Sequence, residues 1–198
     1  LGAGGENGSA ITDQHRICID NIVLEKTSAP EIDVPVGKNL ITNSEFEMSE
    51  DGSLAGWENA VTAPGDATFE AGDGKITYSV ENVGEADWNI QLKQMGLSLE
   101  QGESYTLKCT LVSDVDRVVK VAVMTPSAGY AWHGGEDVVL TAGEAKDVTL
   151  AITPKEEVFT DGITVDTGAG LFFSMGYVEG YTLGAHTVSI SNVSFVKN

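Results

Sequence analysis

The 198-residue chain is poor in the residues that most often carry chemistry: two cysteines, three histidines, and eleven lysines and arginines against thirty acidic residues. Cys18 and Cys109 can form one pair at most, so there is no disulfide framework and the redox compartment stays open. Cys109, in YTLKCTL, alternates with Tyr105, Leu107 and Leu111 as a small core residue. His15, His133 and His186 are scattered without metal-ligand spacing, and no serine or cysteine nucleophile motif accompanies them. The shortage of basic residues leaves a net charge of −19, which repels phosphate backbones and anionic lipid and excludes nucleic acid and membrane surfaces as expected partners. Neutral ligands or cations remain. No apolar run approaches the roughly 18 residues of a membrane-spanning helix. With so many carboxylates some pair would reach the separation glycosidases use by chance, so their number says nothing about hydrolysis.

What the chain does have is glycine, 23 residues of it, and short runs in which apolar and polar residues alternate. The runs cover residues 39–41, 68–70, 75–80, 88–93, 104–112, 118–124, 138–140, 146–152, 170–175 and 187–196, with Gly, Asp, Asn or Pro in nearly every gap. Period-two runs with frequent turn residues and no 3.6-residue period predict an all-β protein, a β-sandwich of two antiparallel sheets in jelly-roll form. One run is echoed. RICIDNIVLEK (16–26) reappears in outline as TVSISNVSFVK (187–197), each with two apolar pairs separated by a polar doublet. The doublet shifts the alternation by one residue, as a β-bulge does in a strand packed on a core. The echo predicts that residues 1–26 are a remnant of the closing hairpin of a preceding similar module. Residues 27–38, with Pro30 and Pro35 and no alternation, read as a linker. The working domain is then 39–198.

Within that domain the order of motifs resembles the carbohydrate-binding modules of the family 4, 9 and 22 group: NLITNSEFE (39–47), GW (56–57), DWNIQLKQMGLSLEQGESYTLKCTL (87–111), GLFFSMG (170–176) and the closing VSISNVSF. The resemblance implies a jelly roll with a concave ligand-binding face. It also implies a non-catalytic role: holding a secreted bacterial glycoside hydrolase on a neutral β-linked polysaccharide of β-glucan or xylan type, beside covalently linked neighbouring modules and a catalytic domain. A structural or adhesive sandwich without a glycan site is the alternative reading, and a small jelly-roll hydrolase a further one.

A neutral glycan offers apolar C–H faces to aromatic rings and hydroxyls to amides and charged groups. Tyr130 and Trp132 stand two apart in SAGYAWHGG among residues too small to bury them, and Tyr130 matches a family position that stacks on a sugar. Alternation in WNIQLK sets Asn89, Gln91 and Lys93 opposite Trp88, Ile90 and Leu92, making Gln91 the leading polar candidate, with Asn89 and Gln94 behind it. Trp88 matches a cleft-lining family position, while its parity with Ile90 and Leu92 argues for the core. Lys120, the one charge in VVKVAV, matches a basic cleft position in some relatives. In GLFFSMG, Phe172 and Ser174 face away from Leu171, Phe173 and Met175, which makes them a candidate platform and its neighbour, with a strand buried on both sides as the alternative. The resemblance further implies a structural Ca2+ ion with Glu47 as a ligand. The bulge doublet where relatives carry aspartate is Ser191–Asn192 here, against Asp20–Asn21 in the first copy of the echo.

Overall fold

The computed structural model describes residues Ile32–Asn198. The N-terminal remnant, with Cys18 and Asp20, lies outside the described residues. Ten strands follow one another: β1 (Glu58–Val61), β2 (Asp66–Gly72), β3 (Lys75–Asn82), β4 (Ile90–Glu100), β5 (Tyr105–Ser113), β6 (Arg117–Thr125), β7 (Ala131–Leu140), β8 (Ala145–Ile152), β9 (Val165–Ser174) and β10 (His186–Lys197). They form two antiparallel five-stranded sheets, ordered β1-β4-β9-β6-β7 and β2-β3-β10-β5-β8. The protein is therefore an all-β sandwich of jelly-roll type, as the alternation predicted. β1 escaped the sequence reading because its four residues, ENAV, sit at a sheet edge and show no buried–exposed alternation.

β3, β4, β5 and β10, apart from their bulges, bury every second side chain between the sheets. Ile90, Leu92, Leu171 and Phe173 from the first sheet meet Ile76, Tyr78, Leu107, Ile190 and Phe195 from the second in one core. Cys109 lies in that core, and burial pushes its thiol up to about 12. Trp57 is packed between Phe46 (centroids 5.2 Å apart) and Phe173 (6.3 Å), with its Nε1–H donated to the Asn43 carbonyl, a structural use of the ring.

β10 carries the expected bulge. Its pairing with β5 shifts register between Ser191 and Ser194, so Val188, Ile190, Val193 and Phe195 are all buried despite the odd spacing. Asn192 takes up the extra length at φ 53°, a left-handed conformation that asparagine tolerates better than most residues. The Asn39 side chain closes the gap: Oδ1 accepts from Phe195 N–H at 2.9 Å and from Ile41 N–H at 3.1 Å, and Nδ2 donates to the Val193 carbonyl at 3.2 Å. The segment before it is also part of the packed unit. Val34 is buried, its N–H donated to Glu100 Oε1, and Val36 bridges to Lys197. Residues 32–38 therefore belong with the sandwich rather than with a linker, because Val34 buries its side chain and Val36 bridges to the closing strand where local alternation gave no sign.

Arg117 is the largest fully buried side chain. Its guanidinium donates to the carbonyls of Val118, Met175 and Gly176 and to His186 Nε2. His186 donates Nδ1–H to the Gly184 carbonyl at 2.7 Å, which leaves Nε2 free to accept and defines a neutral ring. Burial pushes Arg117 down to about 10, within the range where it stays charged at neutral pH.

Replacing Asn39 with Ala strands the buried Phe195 N–H, so Asn39→Ala is expected to cost about 2 kcal/mol in urea unfolding with an unchanged m-value. Asn39→Asp, which keeps the acceptor, should lose less. Equal losses would show that the acceptor at the bulge is not what matters.

Candidate functional site

The outer face of the β4-β9-β6-β7 layer holds a groove of about 690 Å3. Strand register arranges its floor in rows. Gln91 of β4 faces Ser174 of β9, which faces Lys120 of β6. Two residues along, Lys93 pairs with Phe172, Phe172 with Ala122, and Ala122 with Gly135. The next row is Met95, Gly170, Met124 and Trp132. From Lys120 to Met124 the strand advances about 13 Å. Small residues in the lower two rows open the depression. A Cβ on Gly135 would come within 2.5 Å of the Trp132 ring and of the Val121 carbonyl, so glycine there lets the indole lie flat along the strand.

Aromatic rims stand at both strand ends. Trp88, 53% exposed, sits in the 3-10 turn Asp87–Asn89 immediately before β4. That turn explains why strand parity failed for this pair: Trp88 swings into the groove and Asn89 swings into the interior. The turn is held by Gly176 N–H donating to the Asp87 carbonyl (2.9 Å) and Tyr177 N–H to the Ala86 carbonyl (3.0 Å). Arg117, bonded to the Met175 and Gly176 carbonyls, buttresses this contact from within. Tyr130, 62% exposed, stands at the other end between β6 and β7, followed by Trp132 at 41%. Tyr130 is left-handed, φ 61°, after a 3-10 turn at Pro126–Ala128. A bulky residue held in that region carries backbone strain, which folds persist in keeping mainly where a side chain must be aimed.

A polar relay fixes the base of this second rim. Lys155 N–H donates to His133 Nδ1 at 3.0 Å, His133 Nε2–H donates to Thr125 Oγ1 at 2.8 Å, and the Thr125 hydroxyl donates to Asp166. The chain of donors requires neutral His133. Burial lowers the ring's pKa, outweighing the opposing pull of Asp166 and Glu157.

Of the residues singled out from sequence, Trp88, Gln91, Lys120, Tyr130, Trp132, Phe172 and Ser174 line the groove together. Gln91 Nε2–H donates to Ser174 Oγ at 2.9 Å, and Lys120 pairs with Asp87, whose carboxylate raises the lysine's pKa. Asn89 and Gln94 stand apart. Asn89 is buried, its Oδ1 accepting from the N–H groups of Glu85 and Ala86 and its Nδ2 donating to the Thr62 carbonyl. Gln94 shares the core parity of Leu92 and brackets Thr42, accepting from its N–H at 2.8 Å and donating to its carbonyl at 2.9 Å. Both amides are spent on the backbone. Asp87, Lys93, Met95, Met124 and Pro126 also line the groove. Lys93 and Met124 share the outward parity of Gln91 and Lys120, which was the available signal; the apolar methionine made it unpersuasive.

Glu47 is exposed, with its N–H taken by Asn43 Oδ1, and no cluster of three acidic, histidine or cysteine side chains exists among the described residues. The bulge of β10 is filled by the Asn39 amide rather than offering a carboxylate.

A family model described as a carbohydrate binding domain matches residues 38–167. A solved CBM4 domain has the same fold, with a TM-score of 0.62 and 18% identity over 80% of this chain and 99% of that one. The N-terminal cellulose-binding domain of Cellulomonas fimi β-1,4-glucanase C gives 0.57 and 20% over 81% and 98%. The CBM22-2 xylan-binding domain of Paenibacillus barcinonensis Xyn10C gives 0.50 and 12% over 75% and 96%. A search of curated proteins found no match.

Protonating His133 would set its Nδ1–H against the Lys155 N–H, and protonating His186 would set a cation against Arg117. Burial lowers both pKa values, so each contributes stability that is complete above the unfolded value near 6.5 and lost as pH falls through the folded one. The melting temperature is expected to drop as the pH is lowered through the unfolded value near 6.5, with a shallower drop in His133→Gln. An unchanged slope in that variant would remove His133 from this account.

Proposed function

Since this chain belongs to the carbohydrate-binding domain family of the 4/9/22 group, we propose that the groove binds a single chain of a neutral β-linked polysaccharide, of β-glucan or xylan type, without cleaving it. One observation carries the proposal: three exposed rings, Trp88, Tyr130 and Trp132, stand around a floor of Phe172, Gln91, Ser174 and Lys120. Rings take the C–H faces of sugars, and the amide, hydroxyl and ammonium groups take hydroxyls. Hydrolysis has little support. Asp87 is the single carboxylate among the lining residues and is ion-paired to Lys120, whereas glycosidases canonically need two carboxyl groups flanking the bond.

In this reading the domain is the accessory module of a secreted glycoside hydrolase, keeping it on plant cell-wall glycan. A few stacks and hydrogen bonds of about 1 kcal/mol each, less the cost of ordering the sugar, lead to dissociation constants of roughly micromolar to millimolar. Tethering to neighbouring modules would make such weak binding sufficient.

Calorimetric titration with barley β-glucan, xylan, xyloglucan, mannan and laminarin should give heat with at least one. Silence with all five would sink the proposal. For the glycan that binds, Tyr130→Ala is expected to weaken affinity about tenfold and Gln91→Ala about fivefold, with melting temperatures unchanged. Full affinity in Tyr130→Ala would place binding elsewhere.

A further inference from the structure

The groove is chemically graded along its strands. Asp87, Gln91, Lys120 and Ser174 gather at the end nearest Trp88, with Lys93 one row on, tied to Glu58 at 2.9 Å. The far row is Met95, Gly170, Met124 and Trp132, closed off by Pro126 and Tyr130. Met95 is 42% exposed. A Cβ on Gly170 would sit 2.5 Å from Met95 Sδ, so the thioether lies across a floor that has no side chain. At this end the only polar side-chain atoms of the lining are the two ring tips, Tyr130 Oη and Trp132 Nε1. The indole nitrogen can donate but not accept.

A sugar ring stacked on Tyr130 or Trp132 would hold an unsubstituted hydroxyl over the thioethers, where it seeks both a donor and an acceptor and loses water on entering. A sugar whose hydroxyl is esterified fits better. An acetyl group replaces the hydroxyl donor with a methyl that can pack on the two thioethers, and adds a carbonyl that needs only a donor. Resting on the reading of the groove as a glycan site, we propose that its apolar end is a subsite for an O-acetylated sugar unit, so that the preferred ligand is a naturally acylated polysaccharide rather than its bare backbone.

The test uses acetylated xylo-oligosaccharides and acetylated manno-oligosaccharides, each titrated before and after mild alkaline deacetylation. For the backbone that binds, the acetylated form should be tighter by about fivefold or more. The double variant Met95→Gln, Met124→Gln should bring the two forms within about twofold by weakening the acetylated one, with an unchanged melting temperature showing that it is folded. Equal affinity of the wild type for both forms would overturn the subsite and leave the glycan site standing. Loss of both forms in the variant would also overturn it, because the methionines would then be a general platform. No heat with either backbone in either form, together with silence across the polysaccharide panel, would remove the glycan site and the subsite with it.

Discussion

The position of β9 between β4 and β6 governs both sides of the first sheet. Leu171 and Phe173 go to the core while Gly170, Phe172 and Ser174 go to the groove, and the neighbours on each side are set by the same pairing. A slip of one residue would exchange the two sets, turning Ser174 into the sandwich and Phe173 onto the groove side. The cost of that exchange is the whole hydrophobic contribution of the strand, so the core holds the groove in register. Gln91 and Lys120 therefore meet Ser174 because Ile90, Leu92, Val119 and Val121 must meet the core.

The rims depend on different forces from the floor. No sheet pairing aims Trp88 or Tyr130; Trp88 stands in a 3-10 turn and Tyr130 just after one, at strand ends. Their anchors are buried polar groups. Asn89 and the Arg117 carbonyl clamp steady one turn, and the Thr125, His133 and Asp166 relay steadies the other. Such networks are costly when half satisfied and directional when complete, which suits the placing of rings that make few core contacts of their own. The methionines of the far row contribute the opposite quality, a soft surface able to follow a substituent.

Much of this was legible in the sequence. Period-two runs gave the sandwich, and the polar doublet in TVSISNVSFVK gave the bulge of β10. Outward parity in WNIQLK and GLFFSMG identified Gln91, Phe172 and Ser174. Where parity misled, the backbone had left the extended state: the turn at Asp87–Asn89 reversed Trp88 and Asn89, and no local pattern announces a three-residue 3-10 turn inside an apparent strand. Gln94 misled in another way. It keeps a core position because Thr42, 52 residues earlier, presents backbone groups to it. The packing of Val34 and the staple of Asn39 are likewise long-range bonds, 66 and 156 residues apart, beyond any local reading.

The sequence by itself determined which residues could be buried, because alternation and hydrophobicity are local and leave each strand one viable inner face. It also determined the family. Only the tertiary structure decided which outward residues became neighbours. Lys120, Ser174 and Gln91 lie far apart along the chain and come into one row by strand order and register, and the two methionines acquire meaning only when β9 sets a glycine between them. Strand order follows from how whole sheets close around a shared core, a property of the assembled chain rather than of any one segment.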